Sequence, residues 1–183
     1  MKQEVPTVCP QSQQHWREWL QTNHDQHQAV WLVYHKKASA TPTLTWSEAV
    51  DEALCFGWID SQAKPLDKER YQQFFSRRKP TSGWSRVNKE KITRLLAAGY
   101  MRPAGLASIE TAKQNGSWTL LDEVEELRLP ADLALAFEQC PAAKAHFLGL
   151  SRTTKRTLLL GLVLAKRPAT RQQRIAAILA LAS

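Results

Sequence analysis

The sequence of 183 residues has no long hydrophobic run, and this argues against a membrane-spanning protein. Its longest apolar stretch, Leu158 to Ala165, lies between Arg156 and Lys166. A helix needs roughly 20 apolar residues to cross a bilayer. The first residues, Met1 to Pro6, also lack an apolar segment of signal-peptide length. We therefore expect a soluble cytoplasmic protein without membrane insertion.

Cysteine is scarce, and the usual catalytic signatures are missing. Cys9, Cys55 and Cys140 are odd in number and show no C-x-x-C spacing, which argues against a disulfide framework and a zinc site. The sequence contains no G-x-S-x-G, no H-E-x-x-H, no P-loop and no dinucleotide-binding glycine pattern. It therefore predicts reduced thiols, no metal and no cofactor, and it gives no positive sign of an enzyme.

The net charge of +8 is concentrated in two basic blocks. Residues 61–102 contain 11 basic and 3 acidic residues, and residues 139–183 contain 8 basic residues and no acidic ones. Such blocks either bind phosphates without reading a base sequence or pair with acids inside the fold. An acidic cluster precedes the second block and is expected to neutralise its arginines: Asp122, Glu123, Glu125 and Glu126.

The pattern up to residue 84 predicts an α+β domain. Ala29–His35 is rich in β-branched and aromatic residues, which indicates a strand. Thr45, with a glutamate three residues later, forms a capping box that starts a helix. Two extended segments, 58–64 and 70–76, are joined by turn residues and predict a hairpin. Together these elements predict a small antiparallel three-stranded sheet with helices in residues 1–84.

The pattern from Ser85 to the end predicts a second, all-helical domain packed on the first. Ser85 is a good N-cap, and Pro103 suits the first turn of a later helix. Apolar residues recur at helical spacing in four predicted helices, with the stripes Ile92/Leu95/Leu96, Leu106/Ile109/Ala112, Leu158/Leu159/Leu162/Val163 and Ile175/Ile178/Leu179/Ala182.

The stretch from Glu52 to Asn88 carries the residues most typical of a binding site. A helix start offers backbone N–H groups and a partial positive charge that favour an anion, and nearby basic residues strengthen this effect. We predict a pocket for a small anionic ligand between the hairpin and the helix start, lined by Trp58, Asp60, Ser61, Arg78, Trp84, Ser85 and Asn88. The alternative is that Trp58 and Trp84 are core aromatics and that Arg78 pairs with Asp60.

Two carboxylates at the start of this stretch are candidates for acid–base chemistry. Asp51 and Glu52 are adjacent, so on a helix they point in different directions, which favours a solvated edge over a catalytic pair. An enzyme would need Asp60 close to Cys55 or His35. The sequence does not establish that proximity.

The same region resembles a known family. The motifs are Glu52 to Ser61, Arg70-Tyr71, Arg78-Lys79-Pro80, Trp84-Ser85 with Asn88, and Gly99 to Gly105, followed by Gly116-Ser117-Trp118 and Thr170-Arg171. In this order they resemble the YdeI/OmpD-associated, or bacteriocin-protection, family. The resemblance implies a role in resistance to bacteriocins and cationic peptides and a link to an outer-membrane porin. It implies no catalytic mechanism.

The sequence thus predicts a non-enzymatic binding or stress-protection protein. The alternative is a nucleic-acid-binding protein that uses the basic blocks 61–102 and 139–183. This alternative is supported by charge alone, because no helix-turn-helix or RNA-recognition motif is present. An enzyme of unknown reaction is less favoured. The sequence specifies neither the ligand nor the oligomeric state.

Overall fold

A computed structural model describes residues 4–36 and 44–182. The chain divides into two compact units. The sheet unit comprises the described residues up to Ser82 together with Val87–Ser117, and the helical unit comprises Gly83–Arg86 and the chain from Trp118 onwards. The predicted division into subdomains 1–84 and 85–183 stays a prediction.

The described secondary structure up to residue 117 mixes strands and helices. In chain order the elements are β1 (Thr7–Val8), α1 (Gln13–Asn23), β2 (Ala29–His35), α2 (Trp46–Cys55), β3 (Trp58–Pro65), β4 (Arg70–Arg77), α3 (Arg86–Ala97) and α4 (Pro103–Gln114). The described remainder is helical, with α5 (Asp122–Glu125), α6 (Ala131–Gln139), α7 (Pro141–Gly149), α8 (Arg152–Val163), α9 (Pro168–Leu179) and a 3₁₀ turn (Ala180–Ala182).

The sheet has four strands in the order β1-β2-β4-β3. β4 pairs antiparallel with both β2 and β3, whereas β1 pairs parallel with β2. The predicted α+β class is confirmed, but the prediction of a three-stranded antiparallel sheet is wrong. β1 consists of only Thr7 and Val8. Two residues are too few to show the alternation by which a strand is found in a sequence.

Side chains alternate between the two faces of the sheet. Val30, Leu32 and Phe75 are fully buried on one face, which we call the helix face. There the ring of Trp16 from α1 packs against Phe75, with the centroids 5.6 Å apart. Residues paired across β2 and β4 share a face. The neighbours of these residues in sequence therefore lie on the opposite face.

Two glycines let α2 and α4 approach each other closely. Gly57 ends α2 in the left-handed region, with φ +73°, where a side chain would be strained. A Cβ on Gly105 would lie 2.3 Å from the carbonyl oxygen of Cys55. The same oxygen accepts a hydrogen bond of 3.1 Å from the backbone N–H of Arg102. Backbone thus contacts backbone at this crossing, and only glycine fits at position 105.

The predicted stripes of α3 and α4 are partly wrong. Ile92, Leu95, Ile109 and Ala112 are buried as predicted, but Leu96 and Leu106 are exposed. The exposed pair lines a shallow apolar groove of about 350 Å³. Each helix therefore buries a narrower face than its full set of apolar residues indicated.

The helical unit has its own apolar core. The core comprises Val124, Leu133, Phe137, Ala143, Phe147, Leu159, Leu162 and Ile178. The predicted stripes of α8 and α9 supply Leu159, Leu162 and Ile178, whereas α7 was not predicted from the sequence. No described helix in either unit is long and apolar enough to cross a membrane.

The close approach at Gly105 predicts a large loss of stability on substitution. We expect Gly105→Ala to lower the free energy of unfolding by roughly 3 kcal/mol, because the added methyl meets backbone that cannot move aside. Urea unfolding followed by circular dichroism measures this change.

Gly161→Ala in α8 is the matched control. A Cβ there meets its nearest atom, in Arg174, at 3.9 Å, which is ordinary contact. We expect this variant to gain up to about 1 kcal/mol from higher helix propensity. A Gly105→Ala protein as stable as the wild type would contradict the packing described here.

Candidate functional site

A β-bulge in β3 shapes the most distinctive polar group of the sheet unit. The register between β3 and β4 shifts between Asp60 and Ala63, so β3 carries one extra residue there. Bulges bend a strand and re-aim its side chains, and they are frequent beside functional sites. Asp60 lies at the start of this bulge, on the helix face opposite Phe75.

The Asp60 carboxylate links the sheet to α2. Its Oδ2 accepts a hydrogen bond of 2.6 Å from Nε2 of Gln73 and one of 2.9 Å from Nε1 of Trp46. Gln73 is a buried residue of β4, whereas the side chain of Trp46, at the start of α2, is 44% exposed. The capping box of Thr45 and Glu48, which the sequence predicted, fixes this start.

A buried tyrosine lies on the same face of the sheet. Tyr34 is 1% exposed, and its ring stacks on that of Tyr71, its partner across the strands, with centroids 4.9 Å apart. Among the described residues its hydroxyl has no hydrogen-bond partner. Burial raises the pKa of Tyr34, and the charges of Tyr71 and Asp60 raise it further. The hydroxyl therefore stays protonated and available as a donor.

We call Tyr34, Trp46, Asp60, Tyr71 and Gln73 the Asp60 cluster. The sequence predicted only Asp60 among these. Tyr34, Tyr71 and Gln73 become neighbours through the pairing of β2 with β4, which the sequence pattern does not specify. The one local feature that marks Trp46 in the sequence is its position directly after the N-cap residue.

The other predicted site residues of the sheet unit have different surroundings. Trp58 is fully buried and donates from Nε1 to the carbonyl oxygen of His24 at 3.3 Å. Ser61 is exposed, and its hydroxyl donates to the carbonyl oxygen of Phe74 at 3.4 Å. Asn88 lies in the first turn of α3. Trp58 thus has the packing role that was its alternative.

Arg78 follows β4 directly, and its backbone N–H donates to the carbonyl oxygen of Gly57 at 2.9 Å. Burial lowers the pKa of Arg78 to about 10, and the nearby charge of Asp60 opposes this shift. The guanidinium therefore keeps its charge at neutral pH. The Asp60 carboxylate lies close enough to influence the pKa of Arg78.

The two remaining predicted residues belong to the helical unit. Trp84 is buried and packs against Trp118, with ring centroids 5.0 Å apart. Ser85 immediately precedes α3, where a helix start was predicted. The buried Trp84 fits its packing alternative. The ligand-binding role of the predicted residues stays a prediction.

Asp51 and Glu52 are not a solvated edge, so that prediction is wrong. Asp51 is 7% exposed and Glu52 is 5% exposed. Glu52 accepts a contact of 2.5 Å from Arg17 of α1, and Asp51 pairs with Lys91 of α3 at 2.8 Å. The two carboxylates do point in different directions, as expected of adjacent residues. The helices on both sides of α2, which are α1 and α3, supply the cations and bury the two carboxylates.

A serine and a lysine in this network have the spacing of a nucleophile and its base. Nζ of Lys91 lies 2.7 Å from Oγ of Ser47. The same Nζ also donates to the carbonyl oxygen of Ser47 and to the carboxylate of Asp51. All three contacts join α3 to α2.

Metal-binding groups do not converge in the described part of the chain. There, no three side chains of histidine, cysteine, aspartate or glutamate are arranged to hold a metal ion.

Two arginines of the second basic block form ion pairs inside the helical unit. Arg156 contacts Glu125 at 2.8 Å, and Arg171 contacts Asp132 at 2.6 Å. Arg152 donates to the carbonyl oxygen of Glu125. The hydrogen bond from Arg156 lowers the pKa of Glu125, so this carboxylate stays charged well below neutral pH. The predicted neutralisation of C-terminal arginines by the acidic cluster is confirmed at Glu125.

Cys55 has the properties of a core residue. It is fully buried, and burial raises the pKa of its thiol to about 11, with the charge of Glu52 adding to the shift. At pH 8 only about one thiol in a thousand is then ionised. The thiolate is the reactive form of cysteine. This environment therefore disfavours a nucleophilic role.

Alkylation by iodoacetamide at pH 8 tests this assignment. We expect exposed Cys9 to react fastest, half-buried Cys140 more slowly, and Cys55 only after unfolding in urea. Mass spectrometry of timed samples locates each label, and the other two thiols act as internal controls. Labelling of native Cys55 at the rate of Cys9 would support the enzyme alternative instead.

Two family models match the chain. Residues 126–183 match the family described as bacteriocin-protection, YdeI or OmpD-associated, which confirms the resemblance over a shorter stretch than the motifs had indicated. Residues 8–108 match a domain of unknown function (DUF8412), and this range includes the motifs from Glu52 to Asn88. No curated protein and no solved structure matches. The chain therefore belongs to the DUF8412 family and carries a YdeI/OmpD-associated domain in its last third.

Proposed function

We propose that this chain is a non-enzymatic binding protein that holds a small polar ligand at the Asp60 cluster. The observation that carries the proposal is the buried hydroxyl of Tyr34, which has no hydrogen-bond partner among the described residues. The family name attached to residues 126–183 supports a role in protection against bacteriocins, and we include that role in the proposal.

The buried hydroxyl of Tyr34 lowers the stability of the protein when no ligand is bound. A buried polar group without a partner costs about 1–3 kcal/mol, and phenylalanine would fill the same space without that cost. A ligand oxygen that accepts a hydrogen bond from this hydroxyl would remove the cost on binding. The raised pKa of Tyr34 keeps the donor in place for such a ligand.

The Asp60 carboxylate supplies the complementary acceptor. Both protein donors, Gln73 and Trp46, bind its Oδ2. The proposal therefore assigns Oδ1 to a donor group of the ligand. The exposed indole of Trp46 offers a flat apolar surface beside the carboxylate. A ligand with neighbouring hydroxyl or amide groups matches this combination of donor, acceptor and aromatic surface.

Tyr34→Phe tests the proposal without knowledge of the ligand. We expect the unliganded variant to be more stable than the wild type by about 1 kcal/mol, because the unsatisfied hydroxyl is removed. Tyr71→Phe is the matched control, since Tyr71 is partly exposed and its hydroxyl is not a fully buried group without a partner. We expect that variant to stay within about 0.5 kcal/mol of the wild type in urea unfolding.

A thermal-shift screen of sugars, polyols and small amides then looks for binding. A compound that stabilises the wild type and Tyr71→Phe, but not Tyr34→Phe, supports the site. A Tyr34→Phe protein less stable than the wild type would mean that the hydroxyl already makes a favourable contact. That result would remove the basis of the proposal.

The small anionic ligand is a second candidate, favoured by the position of Arg78. This guanidinium lies in surroundings dry enough to lower its pKa to about 10. Charge-assisted hydrogen bonds are strongest where water is excluded. An anion that takes the place of Asp60 as the neighbouring negative charge would form strong hydrogen bonds with Arg78 in this environment.

For the anion, we expect inorganic phosphate, sulfate or citrate to raise the melting temperature of the wild type by several degrees at saturating concentration. Arg78→Ala should abolish the increase, whereas Lys79→Ala, at an exposed neighbour, should leave most of it. Equal increases in both variants would indicate general salt stabilisation and no site at Arg78.

A further inference from the structure

The face of the sheet opposite the helix face is accessible along three strands. We call it the open face. Its residues are Ala29, Trp31 and Val33 of β2, Gln72, Phe74 and Ser76 of β4, and Ile59 and Lys64 of β3. Apart from the buried Val33, each of them is partly or fully exposed. This contrasts with the helix face, where Val30, Leu32 and Phe75 are completely buried.

An aromatic pair lies at the centre of the open face. Trp31 and Phe74 are directly opposite each other on the two central strands. Their ring centroids are 4.9 Å apart with an angle of 69° between the planes, so the edge of one ring meets the face of the other. Both are partly exposed. Aromatic side chains on the central strands of a small sheet are the type of surface on which unpaired bases stack.

One basic group lies against this pair, and two others lie at the end of the same strands. Nζ of Lys64, on edge strand β3, lies 4.2 Å from the ring centroid of Trp31. At the end of β2 and β4, Lys36 donates to the carbonyl oxygens of Asp67 and Lys68. Arg70 at the same end is paired with Asp67 at 2.8 Å, so part of its charge is already compensated.

The charge beside the aromatic pair favours an anionic partner. Lys64 is opposite Gln72 of β4, and its ammonium lies against the ring of Trp31. Other cations of residues 61–102 are used inside the sheet unit, since Lys91 and Arg94 both pair with Asp51. The combination of cation and aromatic rings matches a chain that has both phosphates and exposed bases.

We propose that the open face binds single-stranded nucleic acid. Trp31 and Phe74 stack on bases, and Lys64 neutralises a neighbouring phosphate. A duplex does not fit this surface, because its bases are already stacked and hide their faces. An acidic peptide would use the cations but would gain little from the rings. The site uses only the first basic block, which agrees with the internal pairing of the second.

Fluorescence anisotropy with labelled 15-nucleotide dT and U oligomers, and with a duplex of equal length, tests the proposal on the full chain. We expect both single strands to bind at low salt and the duplex to bind clearly more weakly. Affinity should fall steeply with added salt. A preference for the DNA or the RNA oligomer supports the proposal and identifies the class of partner.

Three variants separate stacking from general charge attraction. Trp31→Ala should weaken binding about tenfold or more, and Trp31→Phe should weaken it less because a ring remains. Lys64→Ala, at an exposed position, should reduce the slope of log affinity against log salt by about 0.7. Tyr100→Ala is the matched control, since this aromatic side chain is exposed and lies outside the sheet. It should bind like the wild type.

Several results would overturn the proposal. These are no binding of either single strand at low salt, equal binding of the duplex, or full affinity in a Trp31→Ala protein whose circular dichroism shows it to be folded. Displacement of the oligomers by polyglutamate at an equal charge concentration would show a general polyanion surface. If Trp31→Ala does not fold, the slope measured with Lys64→Ala and the affinity of Trp31→Phe decide the question.

Discussion

The arrangement of the sheet unit depends on two adjacent buried carboxylates of α2. Glu52 is held by Arg17 of α1, and Asp51 is held by Lys91 and Arg94 of α3. Removing one partner of such a pair leaves a buried charge uncompensated, at a cost of about 3–5 kcal/mol. Any packing of α1, α2 and α3 that separates one of these carboxylates from its cation is therefore strongly disfavoured. The orientation of α2 is fixed from both sides.

The two ends of α2 transmit this constraint to the rest of the unit. At its start, Trp46 reaches the carboxylate of Asp60 on the sheet. At its end, the carbonyl of Cys55 meets the backbone of α4 at Gly105, where a side chain has no room. The helix therefore contacts the sheet at one end and α4 at the other. Its orientation positions Trp46, whereas the other members of the Asp60 cluster are positioned by the pairing of β2, β4 and β3.

Local signals in the sequence were enough to find most helices and strands, and distant contacts account for the rest. The capping box at Thr45 and the strand Ala29–His35 depend on neighbouring residues, and both are present as predicted. The burial of Asp51 and Glu52 depends on cations 35 to 43 residues away in sequence. The position of Tyr34 beside Gln73 likewise requires the strand order, because β4 inserts between β2 and β3. Periodicity contains no information about such partners.

The bulge in β3 determines which face of the sheet Asp60 and Lys64 occupy. Before it, Asp60 lies on the helix face opposite Phe75. In an unbroken register Lys64 would pair with Tyr71 and lie on that same face, because side chains alternate strictly. The extra residue shifts Lys64 opposite Gln72, which places it on the open face beside Trp31. One inserted residue therefore keeps the carboxylate among the polar groups of the helix face and moves the ammonium to the aromatic pair. The two proposed sites therefore lie on opposite faces of the sheet, one around a carboxylate and the other beside an ammonium.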